Sequence, residues 1–419
     1  MRRNNNIRFF HNDGEFFSIH IFVRVGSIHE TSDLQGIAHF MEHIKFKGSK
    51  NMDGDAITGT FTRLGAKFNA STSYDRTVFF VCTLIEHAKL VTDILLELVF
   101  NARYDRVDIQ KECKVVLEEL QMDNNHSKLD INNTAQKAIL SPKNPYHKDI
   151  IGEEECLKKV RAKDFVKFHD KHYGDFMVMI NCPKSHHSKI NRFVEHKLAS
   201  CRIPPVPKKL PPPNVTATEY SVSVQVNEST HYSTTLTFKG YPRSHPRYYL
   251  LDFVAQILAP GFKTLLFDEL RVKRGLVYSV DSDYFAYDDI GFVCISFSSS
   301  NKNTDEMVKI VMKIIGDMKH MRTSRLKKYK EAYINSLNYS LTNRSMQSVF
   351  YGEMYDREPE FKLEKLIRQV RSISNIDLGN IADAILNSKN MGITTLGQYK
   401  NSDTMMDSLV ALLNNTNQR

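Results

Sequence analysis

The sequence predicts an α+β protein of two structurally similar domains, each a mostly antiparallel sheet with helices packed on it. Three observations carry that expectation. A proline-rich segment cuts the chain nearly in half, each half opens with strand sequence, and helical patterns and further strands follow in each. The 419 residues leave room for two to three domains at roughly 150 residues apiece. With 41% hydrophobic and 25% charged residues, a wholly disordered, collagen-like or disulfide-knotted chain is excluded.

Residues 203–213 hold six of the thirteen prolines, and such a run favours an extended, semi-rigid spacer. It separates a first domain at 1–202 from a second at 214–419. Stretches 16–25 and 220–238 are rich in β-branched and aromatic residues with partial alternation, which reads as strand. Apolar periodicity then predicts helices at 32–46, 53–64, 85–101 and 107–122, the first opened by Ser32 or Asp33 as N-cap. Residues 67–82 read as two extended runs about a turn near Ser73, Tyr74 and Asp75. In the second half, helices expected at 248–258 and 262–273 precede strands at 275–285 and 292–298. The two successions are alike, as in a duplicated unit.

No uncharged apolar run reaches the roughly 18 residues of a membrane helix; the richest stretch, 78–100, is broken by Glu86, Lys89, Asp93 and Glu97. The opening Met1-Arg2-Arg3-Asn4-Asn5-Asn6 has no apolar signal core, so a cytoplasmic protein without membrane insertion is expected. Six single cysteines without a CxxC pattern fit reduced thiols rather than a disulfide framework. The net charge of +9 is diffuse. Its clusters, such as Lys208-Lys209 and Arg325-Leu326-Lys327-Lys328, accompany no nucleic-acid-binding pattern, so specific nucleic-acid recognition is not expected.

The stretch with most chemistry in it is His39-Phe40-Met41-Glu42-His43, an H-x-x-E-H pattern within a predicted helix. At about 100° per residue, His43 lies roughly 40° from His39, and Glu42 about 60° to the other side. Two imidazoles four residues apart can bind one zinc ion, and a neighbouring carboxylate outside the ligand set can accept a proton from water. On a helix that also carries Phe40, Met41 and Ile44, the histidines equally fit packed or surface positions. A catalytic zinc also needs a third protein ligand. The helix at 107–122 offers Glu112 and Glu119, seven residues apart and nearly eclipsed, whereas Glu118 points about 100° away from Glu119. One of the two carboxylates can bind the ion while the other supports a ligand.

With these residues in place the sequence resembles the inverzincin metallopeptidases of the pitrilysin and insulysin type, most of all their two-domain processing-peptidase-like members. Gly26, Ser27 and Glu30 match the family's signature, followed by Gly36, Ala38, His39, Phe40, Glu42, His43, Phe46, Lys47 and Gly48. The 76 residues from His43 to Glu119 (119 − 43) match its spacing. The resemblance implies one zinc ion per chain held by His39, His43 and Glu119, with Glu42 as general base and Glu112 supporting a ligand. Asn144, Pro145, Tyr146 and Gly152, then Asp164, Phe165, Tyr173 and Gly174, match later landmarks of the family's N-terminal domain.

Gly65, Asn69, Ala70 and Ser71 resemble the family's substrate strand, which lies at a sheet edge beside the metal. An open edge suits peptides, since an extended substrate can add to it as another strand. Arg271 and Tyr278, seven residues apart, resemble its arginine and tyrosine motif, implied to orient the scissile carbonyl and stabilise negative charge on it. The implied function is a zinc endopeptidase acting on unstructured peptides or flexible protein termini. The alternative is a catalytically silent subunit of the same fold serving as an interaction partner. Long relatives carry four such domains, so a two-domain chain is expected to form a homodimer or a heterodimer with a related subunit, with Arg271 and Tyr278 acting across the interface.

Overall fold

Ten strands in two five-stranded sheets form from the β-branched and aromatic runs, in a computed structural model that describes residues 6–127, 131–207, 222–226, 231–300, 304–399 and 402–416. Residues 208–213 of the proline-rich segment, and 220–221 and 227–230 of the expected second-half strand, lie outside the described residues. The first sheet contains β1 (Ile7–Asn12), β2 (Phe16–Val23), β3 (Lys67–Thr72), β4 (Thr77–Leu84) and β5 (Phe176–Pro183), in the order β1-β5-β2-β4-β3. The second contains β6 (Val222–Val226), β7 (Tyr232–Gly240), β8 (Ser279–Ala286), β9 (Gly291–Ser299) and β10 (Met391–Gly397), in the order β6-β10-β7-β9-β8. Each sheet has one parallel pair, β1 with β5 and β6 with β10, and is otherwise antiparallel. The α+β class and the likeness of the two domains are thus present strand for strand.

Helices follow the strands in matching order. The chain forms α1 (Ile37–Lys45), α2 (Gly54–Arg63), α3 (Ala88–Phe100), α4 (Arg106–Ser127), α5 (Ile131–Ala138), α6 (Glu154–Leu157), α7 (Ala162–His172) and α8 (His187–Ser200). It continues with α9 (Tyr248–Leu258), α10 (Thr304–Asp317), α11 (Thr323–Ser340), α12 (Arg344–Arg357), α13 (Leu363–Ser372), α14 (Asn375–Ala384) and α15 (Ser402–Thr416). No helix among the described residues is long and apolar enough to cross a membrane, and all six cysteines are free.

The compact units differ from the two contiguous halves expected. One comprises 1–123, 148–211 and 339–361, the other 124–147, 212–338 and 362–419. Each long helix, α4 or α11, is thus followed by a helix that belongs to the other unit. Asn144, Pro145 and Tyr146, expected in the N-terminal domain, fall in the second unit. The reason is legible on β2, which is buried along almost its whole length. Phe17, Ile19, Ile21 and Val23 enter the core beneath α1 and α3, with Phe40, Ile44, Val91 and Leu95. Its other face is covered by α12, where the Ser18 hydroxyl donates to Ser348 at 2.8 Å. Gly352 meets the Phe22 ring so closely that an added Cβ would lie 2.3 Å from it. A strand covered on both faces reads as a nearly continuous apolar run rather than an alternation.

Two local expectations are corrected. The first helix begins at Ile37, not near Ser32 or Asp33, because Gly36 adopts the left-handed conformation at φ 90°. The helix expected at 262–273 is a π-helix over Phe267–Lys273; Gly261 at φ 92° and Lys263 at φ 64° exclude a regular helix before it.

Candidate metal centre

α1 is set in place by a carboxylate from upstream. Both oxygens of Glu30 accept backbone N–H bonds, from Gly36 and Ala38, each at 2.8 Å, so the exposed donors of the helix start are satisfied by a residue outside it. Gly36 has no room for a side chain, since a Cβ there would lie 2.4 Å from the Ile151 carbonyl oxygen. With its start pinned, α1 buries Phe40, Met41 and Ile44 and turns His39, Glu42 and His43 toward α4. That helix buries Ile109, Val116 and Leu120 at helical spacing and thereby presents Glu112 and Glu119.

His39, His43 and Glu119 each offer one ligand atom, all within 4.8 Å of one another. His39 Nε2 lies 3.8 Å from Glu119 Oε1, and His43 Nε2 lies 3.4 Å from Glu119 Oε2. Tetrahedral zinc with bonds of about 2.0–2.1 Å needs its ligand atoms about 3.3–3.5 Å apart; the donor types suit that ion, and the 3.4 and 3.8 Å separations, made to different oxygens of Glu119, lie at and just above that spacing. The second nitrogen of His43, Nδ1, donates to Glu112 Oε1 at 3.0 Å, which in the neutral ring leaves Nε2 with its lone pair toward the cluster. Lys47 Nζ pairs with the other Glu112 oxygen. Glu118 is exposed.

Burial lowers the His39 imidazole to about 4, with the neighbouring His43 adding to the effect, so it is neutral near pH 7 as a ligand must be. Burial alone would lower His43 too, but its bond to Glu112 and the charges of Glu119 and Glu42 outweigh it and leave it raised. Glu112 responds in the opposite sense: burial raises its carboxyl, and the bonds from His43 and Lys47 bring it below its ordinary value. Glu42 is 8% exposed. Burial holds it above the usual carboxylate range, against the opposing pull of the Thr72 hydroxyl, which donates to Glu42 Oε2.

Thr72, Lys47 and Glu30 received no role from the sequence. Thr72 was within reach of an alternation argument, because on β3 it shares a face with Phe68 and Ala70, the face that packs under the helices. β3 is the edge strand of its sheet; Asn69 and Ser71 are exposed, while the Ala70 side chain is buried at 8%. Arg271 and Tyr278 lie in the second unit, where they pair with each other. The guanidinium carbon is 5.6 Å from the Tyr278 ring centroid and 5.1 Å from that of Phe267, and Tyr278 is 73% exposed.

Residues 10–145 match the family model for insulinase, peptidase family M16, and 159–333 match that for the M16 peptidase inactive domain. The chain belongs to the M16 peptidase family. Among similar proteins is the uncharacterized zinc protease YmxG of Bacillus subtilis, 27% identical over 333 residues that cover 78% of this chain and 80% of the relative. An uncharacterized zinc protease of Rickettsia felis is 27% identical over 70% of each chain. In fold, this M16 chain resembles a protease from Helicobacter pylori (20% identity, TM-score 0.82, covering 93% of this chain and 96% of that one). It also resembles a peptidase M16 inactive domain from Pseudomonas fluorescens (20% identity, TM-score 0.84, covering 95% and 97%).

Proposed function

We propose that this M16 chain is a zinc-dependent endopeptidase that cleaves unstructured peptides or flexible protein termini. The observation that carries the reading is the donor triangle of His39, His43 and Glu119, beside a carboxylate that is not part of it. When bound, zinc supplies Lewis acidity and makes water a stronger acid. Glu42 is the general base: its carboxylate takes a proton from the attacking water and returns it to the leaving amine nitrogen. Thr72 orients that carboxylate through its hydroxyl bond, and Glu112, steadied by Lys47, holds the His43 ring. An extended substrate pairs with the free edge of β3 along Asn69, Ala70 and Ser71, which accepts any backbone and so fits a broad substrate class. Arg271 and Tyr278 orient the scissile carbonyl and stabilise its developing negative charge, supplied by a second copy or a related subunit.

The test is zinc content per chain together with cleavage of an unstructured peptide library, with and without chelator. One equivalent of zinc and chelator-sensitive cleavage are expected; a zinc-loaded chain that cuts nothing would favour the silent-subunit alternative. The intersubunit role has its own test. Co-expressing inactive His43→Ala with inactive Arg271→Ala chains should restore activity in mixed dimers, and failure in verified mixed dimers would refute it.

A further inference from the structure

α4 presents a second face. At about 100° per residue, Arg106, Gln110, Cys113 and Lys114 fall within an arc of about 100°, and Glu112 and Glu119 lie at least about 100° beyond its nearer edge. This face and the segment 157–163 enclose a half-open cleft of about 900 Å3. Its floor is apolar, built on Ile109, Leu157 and Val160, each 6% exposed or less. Its rim is cationic: Arg106 and Lys114 on one side, Lys158, Arg161 and Lys163 on the other. Neither an acidic nor an aromatic side chain lines it.

The charges there are poorly neutralised from within. Lys158 pairs with Glu154, and Arg161 spends Nη1 on the carbonyls of Lys158 and Val160, at 2.9 and 3.0 Å. Arg106, Lys114 and Lys163 form no ion pair among the described residues. Two helices also begin at this cleft, α4 at Arg106 and α7 at Ala162, and their positive ends add to the same potential. Asp164, in the first turn of α7, is turned to the Arg161 backbone N–H. Cations gathered at positive helix ends destabilise the empty fold, and an anionic occupant reverses the sign of that interaction.

We propose that this cleft is an exosite for a short acidic peptide segment with interspersed aliphatic side chains. Aliphatic groups cover the floor and carboxylates meet the rim. The eight helical steps from Arg106 to Lys114 span about 12 Å, the length of about four extended residues. The absence of aromatic side chains disfavours stacked bases, and a half-open shape with cations on both walls suits a crossing strand better than an enclosed acyl chain. Because the site faces away from Glu112 and Glu119, its occupancy tethers a substrate without changing the chemistry. That last step rests on the peptidase reading; the binding itself does not.

The test uses zinc-loaded Glu42→Gln protein, so that the probe survives, and anisotropy of a fluorescein-labelled Leu-Glu-Glu-Val-Glu peptide. Binding that weakens with salt is expected, with at least a tenfold rise in Kd for the Gln-for-Glu peptide and for the Lys114→Glu, Lys163→Glu double variant. Lys327→Glu, Lys328→Glu on α11 should leave Kd unchanged, which separates the cleft from the general +9 charge. Lys114→Gln, Lys163→Gln serves if charge reversal disturbs folding. Equal Kd in cleft and control variants, or equal binding of both peptides, would overturn the site, as would preferential binding of inorganic polyphosphate lost in the same variants. In protein with Glu42 intact, a substrate extended by the acidic segment should show a lower KM with unchanged kcat; if binding holds and no substrate is cut, the peptidase reading fails and the exosite stands.

Discussion

α1 and α9 occupy the same step of the same strand order, after β2 and after β7, yet only one is equipped for chemistry. α1 exposes two imidazoles and a carboxylate to α4. α9, Tyr248–Leu258, is apolar around most of its circumference, and its one acid, Asp252, is half-buried and bonded by the Tyr333 hydroxyl from α11. Burial raises the Asp252 carboxyl despite that bond. The later helices differ likewise: α4 contributes Glu112 and Glu119, while its counterpart α11 contributes Arg325 and Lys328 to a surface cleft. A repeated scaffold therefore supplies positions, and the side chains grafted on one copy supply the function.

The largest effect should come from exchanging carboxyl for amide in the two copies. Glu42→Gln is expected to keep zinc and lose roughly a hundredfold or more in kcat, the scale of a lost general base, whereas Asp252→Asn should leave kcat of the folded protein unchanged. Near-normal turnover of metal-loaded Glu42→Gln protein would remove the base assignment. Next in size is metal retention. After dialysis, Glu119→Gln should lose zinc far more readily than Glu118→Gln, because only Glu119 faces the imidazoles; the reverse order would mean that α4 is read one residue out of register.

The start of α9 is held differently from the two-bond carboxylate cap of α1: the Arg247 N–H donates to His245 Nδ1 at 3.2 Å, and the Arg247 side chain makes no capping bond. Glu30→Ala should therefore cost about 1–2 kcal/mol, the upper range for a lost helix cap, measured by urea unfolding of zinc-free protein. Ser374→Ala at the cap of α14 should cost about half as much, since it satisfies one N–H rather than two. The last effect concerns acid and is spread over several pH units. His20, on β2 between the core and α12, is wholly buried and lowered to about 3. The unfolded chain takes up a proton there below about pH 6.5 and the folded chain does not, so stability falls as pH drops from 6.5 toward 3. His20→Phe, stacking on Phe80 as the imidazole does at 5.2 Å, should flatten that decline by up to about 1.4 kcal/mol per pH unit. An unchanged pH profile would show that His20 takes up its proton at the same pH in the folded and the unfolded chain.

Local periodicity made much of this legible. Both strands around the 73–75 turn and the helix at 248–258 lie where alternation and 3.6-residue spacing put them. Misreadings cluster where backbone geometry rather than pattern decides, at the left-handed Gly36, Gly261 and Lys263. A side-chain period carries no record of φ, so the start of α1 and the π-helix around Arg271 were invisible to it.

What the sequence by itself determined is which side chains share a face: His39 with His43, and Glu112 with Glu119, because spacing along a helix is a local property of the chain. Only tertiary structure decided which faces meet and what steadies them. The Glu30 cap is six and eight residues from its partners, the Thr72 hydroxyl reaches Glu42 across thirty positions, and Ser348 on α12 meets Ser18 across 330. Such contacts leave no periodic trace, since each forms when packing brings distant segments to one place, and the burial that drives this packing is set by area rather than by order in the chain.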